Sequence, residues 1–164
     1  MKSFLLLICF VLASSCAIKK PIDVNAAAQS IDAWHSAAAT AQFDDYFHLM
    51  TDDGVFIGTD ATENWQLDEF KAFSKPYFDK GKAWSFTAIE RHVYSHDNLV
   101  YFDELLDTQM GICRGSGVMK WQDSKWKIAH YVLSIAVPND MVASLTQMKQ
   151  QWDNDYIKEL KNKL

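Results

Sequence analysis

The hydrophobic period of this chain changes at Gly81, and that change limits the architectures open to it. Before Gly81 the apolar residues recur at three- and four-residue steps. Ile31, Trp34, Ala38 and Ala41, then Phe43, Tyr46, Phe47 and Met50, predict one long or two short helices over 30–50. Leu67, Phe70, Phe73 and Tyr77 or Phe78 predict another over 67–78, with Pro76 disturbing its last turn. A short strand is expected at 55–57. After Gly81 come four long segments rich in aromatic and β-branched residues, 84–94, 99–108, 112–121 and 126–137. Turn-forming runs, Ser95-His96-Asp97-Asn98 and Gln122-Asp123-Ser124-Lys125, separate them in hairpin fashion. A helical stripe of Val142, Leu145, Met148, Trp152, Tyr156 and Leu160 follows over 140–160. Helices first and turn-linked strands afterwards predict an α+β class, a curved antiparallel sheet wrapped around N-terminal helices and closed by a C-terminal helix.

The N-terminus reads as an address. Lys2 precedes an apolar run over 4–12 that is too short for a comfortable membrane span, and Ala13, Ser14 and Ser15 lead into Cys16. This arrangement resembles a bacterial lipoprotein signal. The resemblance implies a signal peptide over 1–15, a lipidated Cys16 with a tether over 16–26, and one domain over 27–164. Ala17 offers no inner-membrane retention signal, so an exported lipoprotein of the outer membrane is expected.

Charge and cysteines exclude several classes. The full chain has a net charge of −5, and loss of 1–15 removes only Lys2 among its charged side chains. An acidic chain without a basic stripe is not expected to bind nucleic acid. Cys113 is left without a partner once Cys9 is cleaved and Cys16 modified, so no disulfide framework is expected. There is no CxxC or HExxH pattern, and no metal or cofactor is anticipated.

Candidate site residues follow from strand parity. Uninterrupted alternation places Trp126, Ile128, His130, Val132 and Ser134 on one face of the last strand, and Ala129, Tyr131, Leu133 and Ile135 on the other. Arg114 shares a face with Ile112, Ser116 and Val118, and Glu104 with Phe102 and Leu106. Three titratable groups on apolar strands, Glu104, Arg114 and His130, are therefore expected to converge in one cavity, since each is costly to bury alone. They fit either a structural ion pair or a polar patch that orients a ligand. Cys113, opposite Arg114, reads as a structural thiol. The bend at 58–65 reads as a rim, with Glu63 as a local cap and Trp65 leaning over a pocket.

Four stretches, "FIGTDATENW" at 56–65, "YFDELL" at 101–106, "CRGSGVMKW" at 113–121 and "WKIAHYVLS" at 126–134, resemble a SnoaL-like domain of the nuclear transport factor 2-like superfamily. The resemblance spans about 27–145 and implies a cone with a mostly apolar pocket. On this chain it implies a pocket wall of Phe56, Trp65, Phe70, Tyr77 and Trp84, and interior polar positions at Glu104, Arg114, His130 and Ser134. Val132 stands where relatives often carry a histidine.

Three functions fit these features. One is a binding domain for a small, partly apolar ligand, with Arg114 meeting a carboxylate. Another is an enzyme of proton transfer or hydration–dehydration, with His130 as base, Arg114 steadying an enolate-like charge and Glu104 as a second acid–base candidate. The third is a structural domain with a vestigial pocket. A homodimer built on the face carrying Ala129, Tyr131, Leu133 and Ile135 is expected from their apolar patch.

Overall fold

The computed structural model describes residues 22–163; the expected signal peptide, Cys16 and most of the expected tether lie outside them. Helix α1, Val24–Ala39, begins inside the expected tether, where the Asp23 carboxylate accepts from the backbone N–H groups of Asn25 and Ala26 at 3.0 and 3.2 Å. The short helix α2, Phe43–His48, follows, so the 30–50 region is two helices. Strand β1, Met50–Ile57, is longer than its apolar core suggested, and β2, Asn64–Gln66, went unread in the sequence. Together they form a hairpin in which Phe56 faces Trp65. At its bend the Glu63 carboxylate accepts from the Asp60 N–H at 3.1 Å, the local cap anticipated. Helix α3, Leu67–Phe78, runs through Pro76.

The four long strands are β3, Phe86–His96; β4, Leu99–Thr108; β5, Gly111–Gln122; and β6, Lys125–Ile135. They form an antiparallel meander. The full curved sheet has the order β2-β1-β6-β5-β4-β3, and β1 joins β6 in parallel, so the sheet is mixed rather than wholly antiparallel. Helix α4, Val142–Lys161, leaves the end of β6 through a 3-10 turn at Asn139–Met141.

The inner face of the sheet and the helices share one aromatic core. Ile31, Trp34 and Ala38 of α1 are buried there, and Trp34 meets the Tyr131 ring edge-on at 4.9 Å and stacks on Tyr46 at 4.9 Å. Phe56 stacks on Phe70 at 4.1 Å, and Trp65 on Phe73 at 4.2 Å. Each such ring contributes on the order of 2 kcal/mol through removal from water. Of the expected pocket wall, Phe56 and Phe70 are fully packed core, Trp65 and Trp84 are half-buried, and Tyr77 is exposed on α3. These rings fill the cone with one another.

A β-bulge sets which polar residues enter this core. Val118 pairs with His130, but Met119 pairs with Ile128, so Ala129 is an extra residue in β6. Ile128 and Tyr131 thereby both turn inward, and His130 turns outward. The face expected to form a dimer is overturned for the same reason: Ala129, Tyr131 and Leu133 are buried inside the molecule, and only Ile135 is exposed.

Candidate functional site

Glu104 sits on β4 between Phe102 and Leu106 and is 1% exposed. Its register partner on β5 is Gly115, and the glycine is required there. A Cβ at position 115 would lie 2.1 Å from the Tyr131 hydroxyl and 3.0 Å from Glu104 Cγ. The space is used by a hydrogen bond, Tyr131 O–H donating to Glu104 Oε1 at 2.9 Å. The same oxygen accepts from His35 Nε2 of α1 at 2.8 Å. The other oxygen accepts from Arg91 Nε of β3 at 2.8 Å, and Arg91 Nη1 continues to Asp32 of α1 at 2.6 Å. Three strands and one helix thus contribute to one buried polar centre.

The charges follow from this wiring. Burial by itself would raise the Glu104 carboxyl, but the hydrogen bond from His35 and then the charge and bond of Arg91 outweigh it and hold the group below its ordinary range. Burial likewise opposes the Arg91 charge, and Asp32 and Glu104 restore and reinforce it. Burial first, and the adjacent Glu104 charge second, push the Tyr131 phenol well up, so it stays a donor.

Two atoms of the centre are unspent. Arg91 Nη2 and His35 Nδ1 are buried and have no hydrogen-bond partner among the described residues. With Nε2–H donated to Glu104, His35 Nδ1 is an acceptor in the neutral ring and a donor in the charged one. Both residues line an open cleft of about 320 Å³ between α1 and β3, together with Asp32, Phe86 and Ala88. A larger groove of about 780 Å³ lies at the hairpin tips beside Leu99, Trp121 and Trp126. Its cation, Lys120, is already paired with Asp53 at 2.7 Å. The α1–β3 cleft is therefore where residues with buried, unpartnered polar atoms converge.

The structure separates the three residues expected to meet. Register pairs Glu104 with Gly115 and Leu133, but Arg114 with Leu105 and Ser134. Cross-strand partners share a face, so Arg114 and Ser134 stand side by side on the outer face, both exposed. His130 is half-buried on that outer face, next to Val118. Only Glu104 points inward, and Arg91 and His35 take the places given to Arg114 and His130. His35 had a legible signal: it stands four residues after Ile31 and three before Ala38, within the buried stripe of α1. Arg91 had none beyond lying on a strand, because its face depends on the β3–β4 register. Among the described residues no group of three His, Cys, Asp or Glu side chains is arranged to hold a metal ion.

A SnoaL-like domain profile matches residues 27–138, more than half of the chain. The chain belongs to the SnoaL-like family. No functionally curated protein matches it. Solved structures share its fold at low identity. An NTF2-like protein of unknown function from Pseudomonas putida is 14% identical, with a TM-score of 0.60, covering 72% of this chain and 89% of its own. A candidate dehydratase of the NTF2-like family from Streptomyces avermitilis is 18% identical at TM-score 0.57, covering 71% and 97%. A candidate ketosteroid isomerase from Parabacteroides distasonis is 17% identical at 0.54, covering 66% and 86%. These likenesses show the shared fold.

Proposed function

We propose that this SnoaL-like chain is an exported, membrane-tethered binding domain for a small, partly apolar molecule that carries an uncharged carbonyl or hydroxyl group. The observation that carries the reading is the pair of unspent atoms at the cleft. Arg91 Nη2 is an unmet donor and His35 Nδ1 an unmet ring nitrogen, both buried just behind Phe86 and Ala88, and a ligand entering between α1 and β3 would reach them. Charge selects the ligand. Arg91 is already balanced by Asp32 and Glu104, so the centre has no surplus positive charge for a carboxylate. This replaces the carboxylate ligand expected of an inward Arg114. The cleft is at the small end of the range for ligand sites, about 300–1,000 Å³. Export and tethering rest on the reading of Cys16.

A second reading is favoured by one observation, the His35–Glu104 pair. A buried carboxylate that fixes one imidazole nitrogen leaves the other as an oriented base. Proton transfer or dehydration of a small carbonyl compound would then use His35, with Arg91 Nη2 steadying the oxygen.

Calorimetry with a matched probe pair, 2-acetylnaphthalene and 2-naphthoate, tests the first reading. The ketone is expected to bind more tightly than the carboxylate. Tighter binding of the carboxylate overturns the charge argument, and turnover of a ketone lost in a His35→Gln variant that still binds it moves the conclusion to the second reading.

A further inference from the structure

We propose that the groove at the hairpin tips is a membrane-docking face, which seats against the lipid surface when the chain is tethered through Cys16. The inference rests on the tether proposed above and goes beyond it, since a tether alone leaves the orientation of the domain free. Covalent reach is the first argument. Ile22 lines the groove and lies six residues on from Cys16. Six residues span at most about 20 Å. A lipid on Cys16 would therefore hold the groove within that distance of the bilayer. The opposite end of the sheet is farther by the length of β4, ten residues or roughly 33 Å.

The side chains of the groove suit a headgroup boundary. At its rim Trp121 is 55% exposed, and Leu99 is exposed beside it. The Trp121 ring meets buried Trp126 edge-on at 5.5 Å, so packing holds it in place while one side stays open. Tryptophan concentrates at membrane interfaces because its ring is apolar and its N–H stays wet. Charge agrees. Lys19 and Lys20 lie in the tether itself, and Lys125 stands on the hairpin that carries both tryptophans. The acids of this end are engaged: Asp23 caps α1, Asp123 pairs with Lys127 at 2.7 Å, and Asp97 lies 3.5 Å from the His96 ring. Basic side chains beside an apolar rim are drawn to anionic lipid headgroups. The chain as a whole is acidic and is repelled by such a surface, which favours approach by this end. A second copy is the poorer occupant, because two such ends face to face would bring like charges together.

Fluorescence quenching in vesicles tests this. The full-length, natively exported chain is reconstituted into phosphatidylethanolamine–phosphatidylglycerol vesicles that contain a phosphatidylcholine spin-labelled near its headgroup. A thiol-reactive fluorophore is placed at Asn98→Cys on the groove rim or at Gln109→Cys at the opposite hairpin tip; Cys113 is buried and unreactive in both. Quenching should be several-fold stronger at Asn98→Cys than at Gln109→Cys. Adding Trp121→Glu should cut the rim quenching to about half or less while the chain stays on the vesicles. Mass spectrometry of the same samples reads the state of Cys16. With Cys16 acylated, equal quenching at the two sites overturns the docking face and leaves the tether standing. So does rim quenching that is indifferent to Trp121→Glu, or that falls as protein density rises because a second copy has taken the groove. An unmodified Cys16 removes the tether and the docking together.

Discussion

A carboxylate survives in a protein interior only where donors replace the water it has lost, and Glu104 has three. Its bonds tie α1, β3 and β6 to β4, so the residue is a structural joint as well as the base of the cleft. Glu104→Gln keeps the bulk and removes the charge that Arg91 faces. At pH 7 it should lower the unfolding free energy by about 3 kcal/mol, measured by urea denaturation. The sign of the pH dependence follows from the lowered carboxyl. The stabilisation is fully present above the ordinary glutamate value of 4.5 and is lost as pH falls through the lower folded value. The gap between wild type and Glu104→Gln should therefore close on acidification below pH 4.5. A gap that widens there would reverse the charge assignment. Gly115 gives a second residue-scale expectation. Gly115→Ala forces the Tyr131 hydroxyl from its place and should destabilise by roughly 1–3 kcal/mol, with near-ultraviolet circular dichroism reporting a moved tyrosine. An unperturbed spectrum and unchanged stability would mean that the close approach is not maintained.

At the scale of elements, most of the fold was legible. The change of period at Gly81 separates helices from meander correctly, and the limits of β4 were read to the residue. What escaped has physical causes. The strand β2 is three residues long and has no period of its own; it exists because it pairs with β1. The single extra residue at Ala129 reverses the parity of β6 beyond it, and no local signal marks a bulge in a continuous apolar run. That one residue moved His130 out and Tyr131 in, and with them the expected dimer face. The parity of β5 held, but register rather than parity decides that Arg114 and Glu104 stand on opposite faces. Helix α4 buries nothing in its own chain. Ending the chain after Pro138 should leave the unfolding free energy at low protein concentration within about 0.5 kcal/mol of the full chain. A larger loss would mean that α4 packs on its own sheet.

For the whole molecule, the aromatic interior leaves function to the places where the packing stops. Of the rings read as pocket walls, Phe56 and Phe70 are core and Trp65 and Trp84 stack half-buried on Phe70, and sequence alone does not distinguish a lined cavity from a filled one. The polar centre opens instead between α1 and β3. The proposed tether would present this domain at a membrane surface. Mass spectrometry of the natively exported chain should find Cys16 as an acylated first residue, and an unmodified Cys16 or a start beyond it would remove the tether. The assignment of the site to the inner cluster, rather than to the outer-face arginine, is tested most directly by one calorimetric comparison. 2-acetylnaphthalene is titrated into Arg91→Met and Arg114→Met variants, both confirmed as folded. Loss of the guanidinium hydrogen bond at the cleft should weaken binding to Arg91→Met by roughly tenfold, with Arg114→Met binding as the wild type does. Binding that survives in Arg91→Met and fails in Arg114→Met would contradict the inner site and return the ligand to the outer face of the sheet.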